Sequence, residues 1–485
     1  MSLGLLLVGL IVGADRPNDG KAEWTETKRA AAESIEARKE EIASQARRIW
    51  ELAELAFQER KSSTLLADAL ESSGFEVERG VAGMETAFVA TFGKGKPVIA
   101  LLAEFDALPG LSQRAEPYRK EDPRRDAGHG CGHNLFGVAS VGAAIAVKEV
   151  MVEKGLEGTL RVYGCPAEEG GGGKSYLVRE GLFDDVDAAL HWHPSSSNDA
   201  GPRTTLAVIR FRVRFKGKSA HASAAPEQGR SALDAIELMS VGVNFLREHI
   251  PSDVRIHHVI TEGGKRPNVV PENAEAWYYI RAPRMATAKE VFARVRRIAD
   301  GAALMTDTKS TILKVTGAHE ILPNEPLARL VDGNFRLIGP PQFSEEERSF
   351  AQSLRESLGL ADDVDLREGA RGPVSDAISG FREHGTKGST DVGDVSWSVP
   401  TAGALVATAP RGVPLHSWGF VASAGSSIGV RGAVTAAKVL ALSAIDLFEQ
   451  PKLLDAGKED FRRRKGTAPF EPLLESGPPP KSVDP

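Results

Sequence analysis

The sequence predicts an α/β protein: a mixed, mainly parallel sheet flanked by helices, with a smaller ferredoxin-like α+β domain inserted into it. Three observations carry this expectation. Apolar runs of strand length alternate with helical stretches from residue 88 onward, the β–α–β rhythm of a parallel sheet. From about Thr205 the texture changes, and Leu206 to Phe215 alternates strictly, as in a strand with one wet face. After residue 318 the first texture resumes.

Taken in order, Lys28 to Glu59 is charged and alanine-rich with apolar residues at helical spacing, which predicts a surface helix. Residues 88–92 and 97–103 read as strands, after which Glu104-Phe-Asp106-Ala-Leu-Pro-Gly110 leaves the sheet. A helix follows from Asn134 through Val150, then strands at 159–164 and 187–192 separated by a helix starting near Gly173. The strand 206–215, helix 231–249, strands 254–262 and 274–282, helix 287–304 and strand 310–316 give the order β–α–β–β–α–β, a split ferredoxin-like unit. The expected units are a catalytic domain over 25–204 and 319–450 and an inserted domain over 205–318. The proline-rich tail over 451–485 is expected to bury little and to be loosely ordered.

Composition narrows the function classes. With 485 residues, 41% hydrophobic and 26% charged, the chain can bury a large core. A net charge of −6 implies no basic surface for nucleic acid. Two cysteines, Cys131 and Cys165, exclude a disulfide framework and both flank the suspected site. The apolar run Leu3 to Ala14 is too short to span a bilayer and fits the core of a secretory signal over 1–14, although it lacks a basic leading region. A genuine signal implies a periplasmic or secreted protein, its absence a cytoplasmic one. No other segment approaches membrane-spanning length.

Two short segments concentrate the chemistry. Gly128-His-Gly-Cys131-Gly-His133-Asn offers a thiol and an imidazole two residues apart in a glycine-rich turn. Gly164-Cys-Pro-Ala-Glu168-Glu169-Gly puts two adjacent carboxylates after a strand. In extended chain the pair points in different directions, so that one carboxylate can ligate while the other moves a proton. Thiol, imidazole and carboxylates together suit metal-assisted hydrolysis. A nucleophilic cysteine is the competing reading, but His133 is too close along the backbone for the usual triad layout. Gly173-Lys174-Ser175 ends like a phosphate loop, yet Glu168 stands where the first glycine belongs and would repel phosphate.

Further imidazoles lie at a distance. His191 and His193 close a strand on one face, and either is a candidate ligand. His416 sits in Pro414-Leu-His-Ser-Trp before a long helix. Asp391 and Asp394 read as caps and hydrogen-bond acceptors rather than ligands. In the inserted domain His221, Asn268 and Arg281 could hold an oxyanion and a substrate carboxylate.

These segments resemble the co-catalytic metallopeptidase and amidohydrolase family that includes aminoacylases, glutamate-releasing carboxypeptidases and plant auxin-conjugate hydrolases. The similarity runs from about Ile42 to Phe448. It rests on Glu104-Phe-Asp-Ala-Leu, the Gly128 and Gly164 segments, Trp192-His-Pro, Ser389-Thr-Asp-Val-Gly-Asp-Val-Ser-Trp and Pro414-Leu-His. The resemblance implies a two-cation site, zinc or manganese, with Cys131 bridging and His133, Glu169, His191 or His193, and His416 completing it. The Trp-His-Pro form favours His193. Glu168 would be the general base and Asp106 would orient a ligand. His221 and Asn268 would stabilise the oxyanion, often from the partner subunit of a dimer, and Arg281 would bind the substrate carboxylate. Position 104 departs from the pattern, being Glu where many relatives carry His or Asp.

The implied activity is hydrolysis of N-acyl amino acids, an aminobenzoyl-glutamate-type substrate above all. A broader deacylase or dipeptidase, or a non-catalytic binding module, are the alternatives. The implied assembly is a homodimer, or a pairing with a homologous second subunit.

Overall fold

A computed structural model describes residues 22–360 and 372–483; the signal expected over 1–14 lies outside them. A six-stranded sheet runs in the order Glu76–Arg79, Phe88–Lys94, Gly158–Cys165, Val98–Glu104, Ala188–Ser195, Thr401–Ala407. The first two pairings are antiparallel and the last three parallel, so the sheet is mixed and mainly parallel. Val98–Glu104 is buried at every position, as a central strand covered on both faces requires.

Two long helices, His133–Lys154 and Ser427–Glu449, pack against each other and against the parallel strands. Both reach the length and hydropathy of a membrane span, contrary to expectation, yet most of each is buried inside the protein. Alanine and glycine on nearly all sides allow this close packing. The single helix expected over 28–59 is two, Glu26–Ala37 and Lys39–Leu52, with a break at Arg38 and a left-handed end at Ala53.

Residues 207–318 form a second, fully antiparallel sheet in the order Arg255–Glu262, Asn273–Ala282, Ala207–Lys216, Lys309–Ala318. Helices Ala232–Leu246 and Met285–Met305 cover one face and share a separate core that includes Phe211, Ile236 and Tyr278.

The tail corrects the expectation most. Pro451–Lys465 is a helix whose Asp460 accepts the amide of Glu325 at 3.0 Å and whose Lys458 pairs with Asp187 at 2.6 Å. Beyond it, Phe470 meets the ring of His319 edge-on at 4.9 Å and stacks with Trp397 at 6.1 Å. Leu473 packs into the inserted domain's core while Leu474 and Val483 pack onto the main core. Proline-rich composition hid a strap in which Phe470, Leu473, Leu474 and Val483 are packed against the rest of the protein. Phe470→Ala is expected to lower stability by about 1–2 kcal/mol, since a half-buried ring loses area and two aromatic contacts; urea unfolding measures it.

Candidate metal centre

The parallel strands deliver the site residues at their carboxyl ends. Val98–Glu104 pairs with Ala188–Ser195 only as far as Leu101 and Leu190, after which the two strands part. Glu104, Asp106 and the Glu168–Glu169 pair come from one side of this fork, and His193 from the other. The turn Gly128–Gly132 carries Cys131 and leads into the helix His133–Lys154, of which His133 is the first residue. Glycine is required there: a Cβ on Gly132, at φ +75°, would lie 2.8 Å from Pro194, and one on Gly130 3.2 Å from the Cα of His416.

Cys131, His133 and His193 place one ligand atom each within 4.8 Å of one another, as do Cys131, Glu169 and His416, and His133, Glu168 and Glu169. Cys131 Sγ lies 3.0 Å from His416 Nε2, which is 3.3 Å from Glu169 Oε1. Two rings, those of His133 and His193, are each oriented by the other nitrogen. His133 Nδ1 donates to Asp106 Oδ1 at 2.8 Å, and His193 Nδ1 to the Pro194 carbonyl at 2.7 Å, so that on each ring Nε2 is the nitrogen that could ligate. Asp106 also accepts the amide of Glu169 through Oδ2 at 2.8 Å.

The doublet is held in a strained turn. Ala167 adopts φ +58° and His416 φ +57°, both left-handed and uncommon for side chains with a Cβ. Glu59, which no sequence signal singled out, accepts the Ala167 amide at 2.8 Å and the Thr86 hydroxyl at 2.9 Å. Lys174, dismissed with its phosphate-loop lookalike, is fully buried beside Glu104 and Asp391 at 2.6 and 2.7 Å. Asp391 and Asp394 act as acceptors, for Lys174 and for Ser175 and His319 respectively.

Electrostatics describe a site short of positive charge. Burial and the carboxylate of Glu169 push the Cys131 thiol well above its usual range, so on its own it is no nucleophile. Burial, then Glu104 and Glu169, push Glu168 well up. Burial opposes ionisation of Glu169 too, but the His416 ring beside it and the charge of His133 win and hold it down at about 2. His133 rises to about 10 because Glu104 and Asp106 outweigh its burial. Glu169 Oε1 and His133 Nε2 are buried without a hydrogen-bond partner. Orphaned donors of thiol, imidazole and carboxylate type, converging in sets of three, fit divalent cations.

Some expected residues stand apart. His191 belongs to none of these groups. One pleat repeat, about 6.6 Å, short of His193, it sits level with Gly403, where a Cβ would lie 2.6 Å from its ring. Cys165 is also outside them, a buried thiol donating to the Tyr163 carbonyl at 3.2 Å. His221 and Asn268 are exposed and neighbour each other, with the Ala222 amide on the Asn268 carbonyl at 3.0 Å. Among the described residues neither joins the cluster. Arg281 donates to Ser389 at 2.7 Å, and its charge is felt at His416.

Fold and donor set suit metal-assisted hydrolysis, and the relatives make this a hydrolase acting on amide bonds. Residues 205–306 match the model of the peptidase dimerisation domain. The chain is 41% identical over 473 residues to one subunit of the p-aminobenzoyl-glutamate hydrolase of Escherichia coli, covering 93% of this chain and 97% of that protein. It is 29% identical to the Xaa-Arg dipeptidase of Mus musculus, over 93% and 95% of the two chains. Among solved structures, the aminobenzoyl-glutamate utilization protein of Klebsiella pneumoniae superposes with TM-score 0.56 at 20% identity, over 84% and 97%. A dinuclear metal binding peptidase of the M20 family from Bacillus subtilis gives 0.54 at 21%, over 86% and 99%. The chain belongs to the M20 family of peptidases and amidohydrolases, which includes dinuclear metal-binding members.

Glu59 supplies a test of this architecture. Burial and the charge of Asp106 push it from 4.5 to about 8. Between those values the folded protein keeps a proton that the unfolded chain has released, so this group makes stability fall as pH rises. Glu59→Gln is expected to flatten that slope, by up to about 1.4 kcal/mol per pH unit, in urea titrations from about pH 5 to about pH 8. An unchanged slope would mean that Glu59 ionises normally.

Proposed function

We propose that the protein hydrolyses N-acyl amino acids at a centre of two divalent cations, zinc or manganese, with a p-aminobenzoyl-glutamate-type substrate releasing glutamate. The observation that carries this reading is the convergence of Cys131, His133, Glu169, His193 and His416 beside Glu168. The likeness to the Escherichia coli p-aminobenzoyl-glutamate hydrolase chain over nearly the whole length supports the substrate class. Bound cations supply Lewis acidity and bring the pKa of water down to about 7.

The protein's own residues do the rest. Glu168 takes the proton of the attacking water and returns it to the leaving amine, a shuttle suited to a carboxylate that burial makes reluctant to stay charged. Asp106 fixes the ring of His133 and the backbone of Glu169 together. Arg281, steadied by Ser389, binds the substrate carboxylate. His221 and Asn268 stabilise the oxyanion of a second copy's site, which accounts for their exposure in the single chain.

A homodimer is the assembly this requires. Val259 and Ile260 on the edge strand Arg255–Glu262, with Val241 and Phe245 on the helix Ala232–Leu246, form an exposed apolar surface on the dimerisation-domain match. A homologous but different chain is the other candidate occupant, since the companion subunit of the Escherichia coli p-aminobenzoyl-glutamate hydrolase is 32% identical over 45% of this chain. The likeness to a dipeptidase favours a second reading, in which the acyl group is itself an aminoacyl group.

Assays of p-aminobenzoyl-glutamate, other N-acyl glutamates and dipeptides should find the first cleaved best. Chelation should abolish turnover and zinc or manganese restore it. Inactivation by iodoacetamide without any effect of chelators would reject the metal reading. Glu168→Gln is expected to lower kcat by about 10²–10⁴ while elemental analysis finds both cations retained. Phe245→Glu should sediment as a monomer and lose activity with its fold intact; an active monomer would remove the role given to His221.

A further inference from the structure

Glu104 is the one acidic group at the fork to which the proposed centre gives no part. It ends the central strand, is 1% exposed, and neither of its carboxylate oxygens has a hydrogen-bond partner. Its two oxygens nevertheless have different neighbours. Oε1 lies 2.6 Å from the ammonium of Lys174, and Oε2 lies 3.1 Å from His133 Nε2. Lys174 also donates to Asp391 at 2.7 Å. One ammonium thus serves two carboxylates, and Glu104 turns its other oxygen towards His133.

The contact with His133 has an unusual character. His133 Nδ1 is taken up by its bond to Asp106 Oδ1, and Nε2 is the ring's remaining site. If Nε2 carried a proton, that N–H would not be aimed at Glu104, because Nε2 makes no hydrogen bond despite the short distance. With Nε2 unprotonated, as a bound cation requires, the two atoms 3.1 Å apart can both give a lone pair to one ion. Two atoms bound to one zinc-sized cation at about 2.0–2.2 Å stand about 2.8–3.6 Å apart for angles between a right angle and the tetrahedral one.

The geometry points to Glu104 as an additional cation ligand: Oε2 binds the ion that His133 holds, and Lys174 clamps Oε1 so that the carboxylate presents a single oxygen. This rests on the two-cation reading proposed above and adds a sixth protein ligand to Cys131, His133, Glu169, His193 and His416. It also assigns a purpose to a fully buried lysine, as a positioning residue that sets the rotation of the carboxylate.

The decisive measurement is a crystal structure of the full chain loaded with manganese or zinc, with the ions located by anomalous scattering. Glu104 Oε2 within about 2.6 Å of an ion supports the inference, and a distance beyond about 3.5 Å overturns it. A solution test uses cobalt(II), whose visible absorption reports coordination. Glu104→Gln is expected to change the spectrum of the two-cobalt protein and to weaken one of the two binding events by at least about tenfold. Lys174→Met should weaken the same event with the spectrum retained. An unchanged spectrum in Glu104→Gln overturns the inference whatever the affinity. Wild-type protein that takes up no cobalt, zinc or manganese would instead defeat the two-cation reading itself.

Discussion

Burying like charges together is the constraint on which the rest of this structure depends. Glu104, Asp106, Glu168, Glu169 and the thiol of Cys131 meet at the fork, the first two and the thiol buried and the doublet half-buried, and the ammonium beside them, Lys174, is shared between Glu104 and Asp391. Such a group of acids is stable only if protons or cations neutralise it. The upward displacement of Glu168 and Cys131 is the proton-based answer to that demand. A pair of divalent cations is the other, and it frees the same groups for chemistry.

The scaffold exists to enforce this crowding. Parallel strands put several carboxyl ends at one edge, and the parting of two of them after Leu101 and Leu190 opens room between backbones that would otherwise be hydrogen-bonded. Left-handed residues at Ala167 and His416 store strain that isolated turns would release. Glu59 and the carbonyl of Gly130 hold them, the first through the Ala167 amide and the second through the His416 amide at 2.9 Å. The site is thus a preorganised one, in which the candidate donor atoms already converge.

How much of this was legible in the sequence follows from how local each signal is. The Cys131–His133 turn and the acidic doublet declare themselves because glycines and a strand end bracket them within a few residues. Sequence position alone could not choose between His191 and His193, since both lie on one strand face and only the parting of the neighbouring strand separates them. Glu59 and Lys174 were illegible for a different reason. Each acts through a partner far along the chain, Ala167 and Asp391, and nothing in its own neighbourhood distinguishes it from a surface charge. The tail misled because composition measures average burial, whereas Phe470 and Leu473 are few and well placed.

The inserted domain is tied to the centre by contacts that run through neighbouring residues of one loop. Arg281, at the end of the strand Asn273–Ala282, holds Ser389. Two residues on, Asp391 holds Lys174, whose ammonium meets Glu104 beside His133. His319, where the chain leaves the inserted domain, is bonded to Asp394 on the following turn and covered by Phe470 of the tail. Any displacement of the inserted domain that breaks the Arg281–Ser389 bond therefore acts on the segment that positions Lys174. Arg281 and His133, the places proposed for a substrate carboxylate and a cation, are linked through a series of side chains, each hydrogen-bonded, ion-paired or close in sequence to the next, which is the physical requirement for one to influence the other.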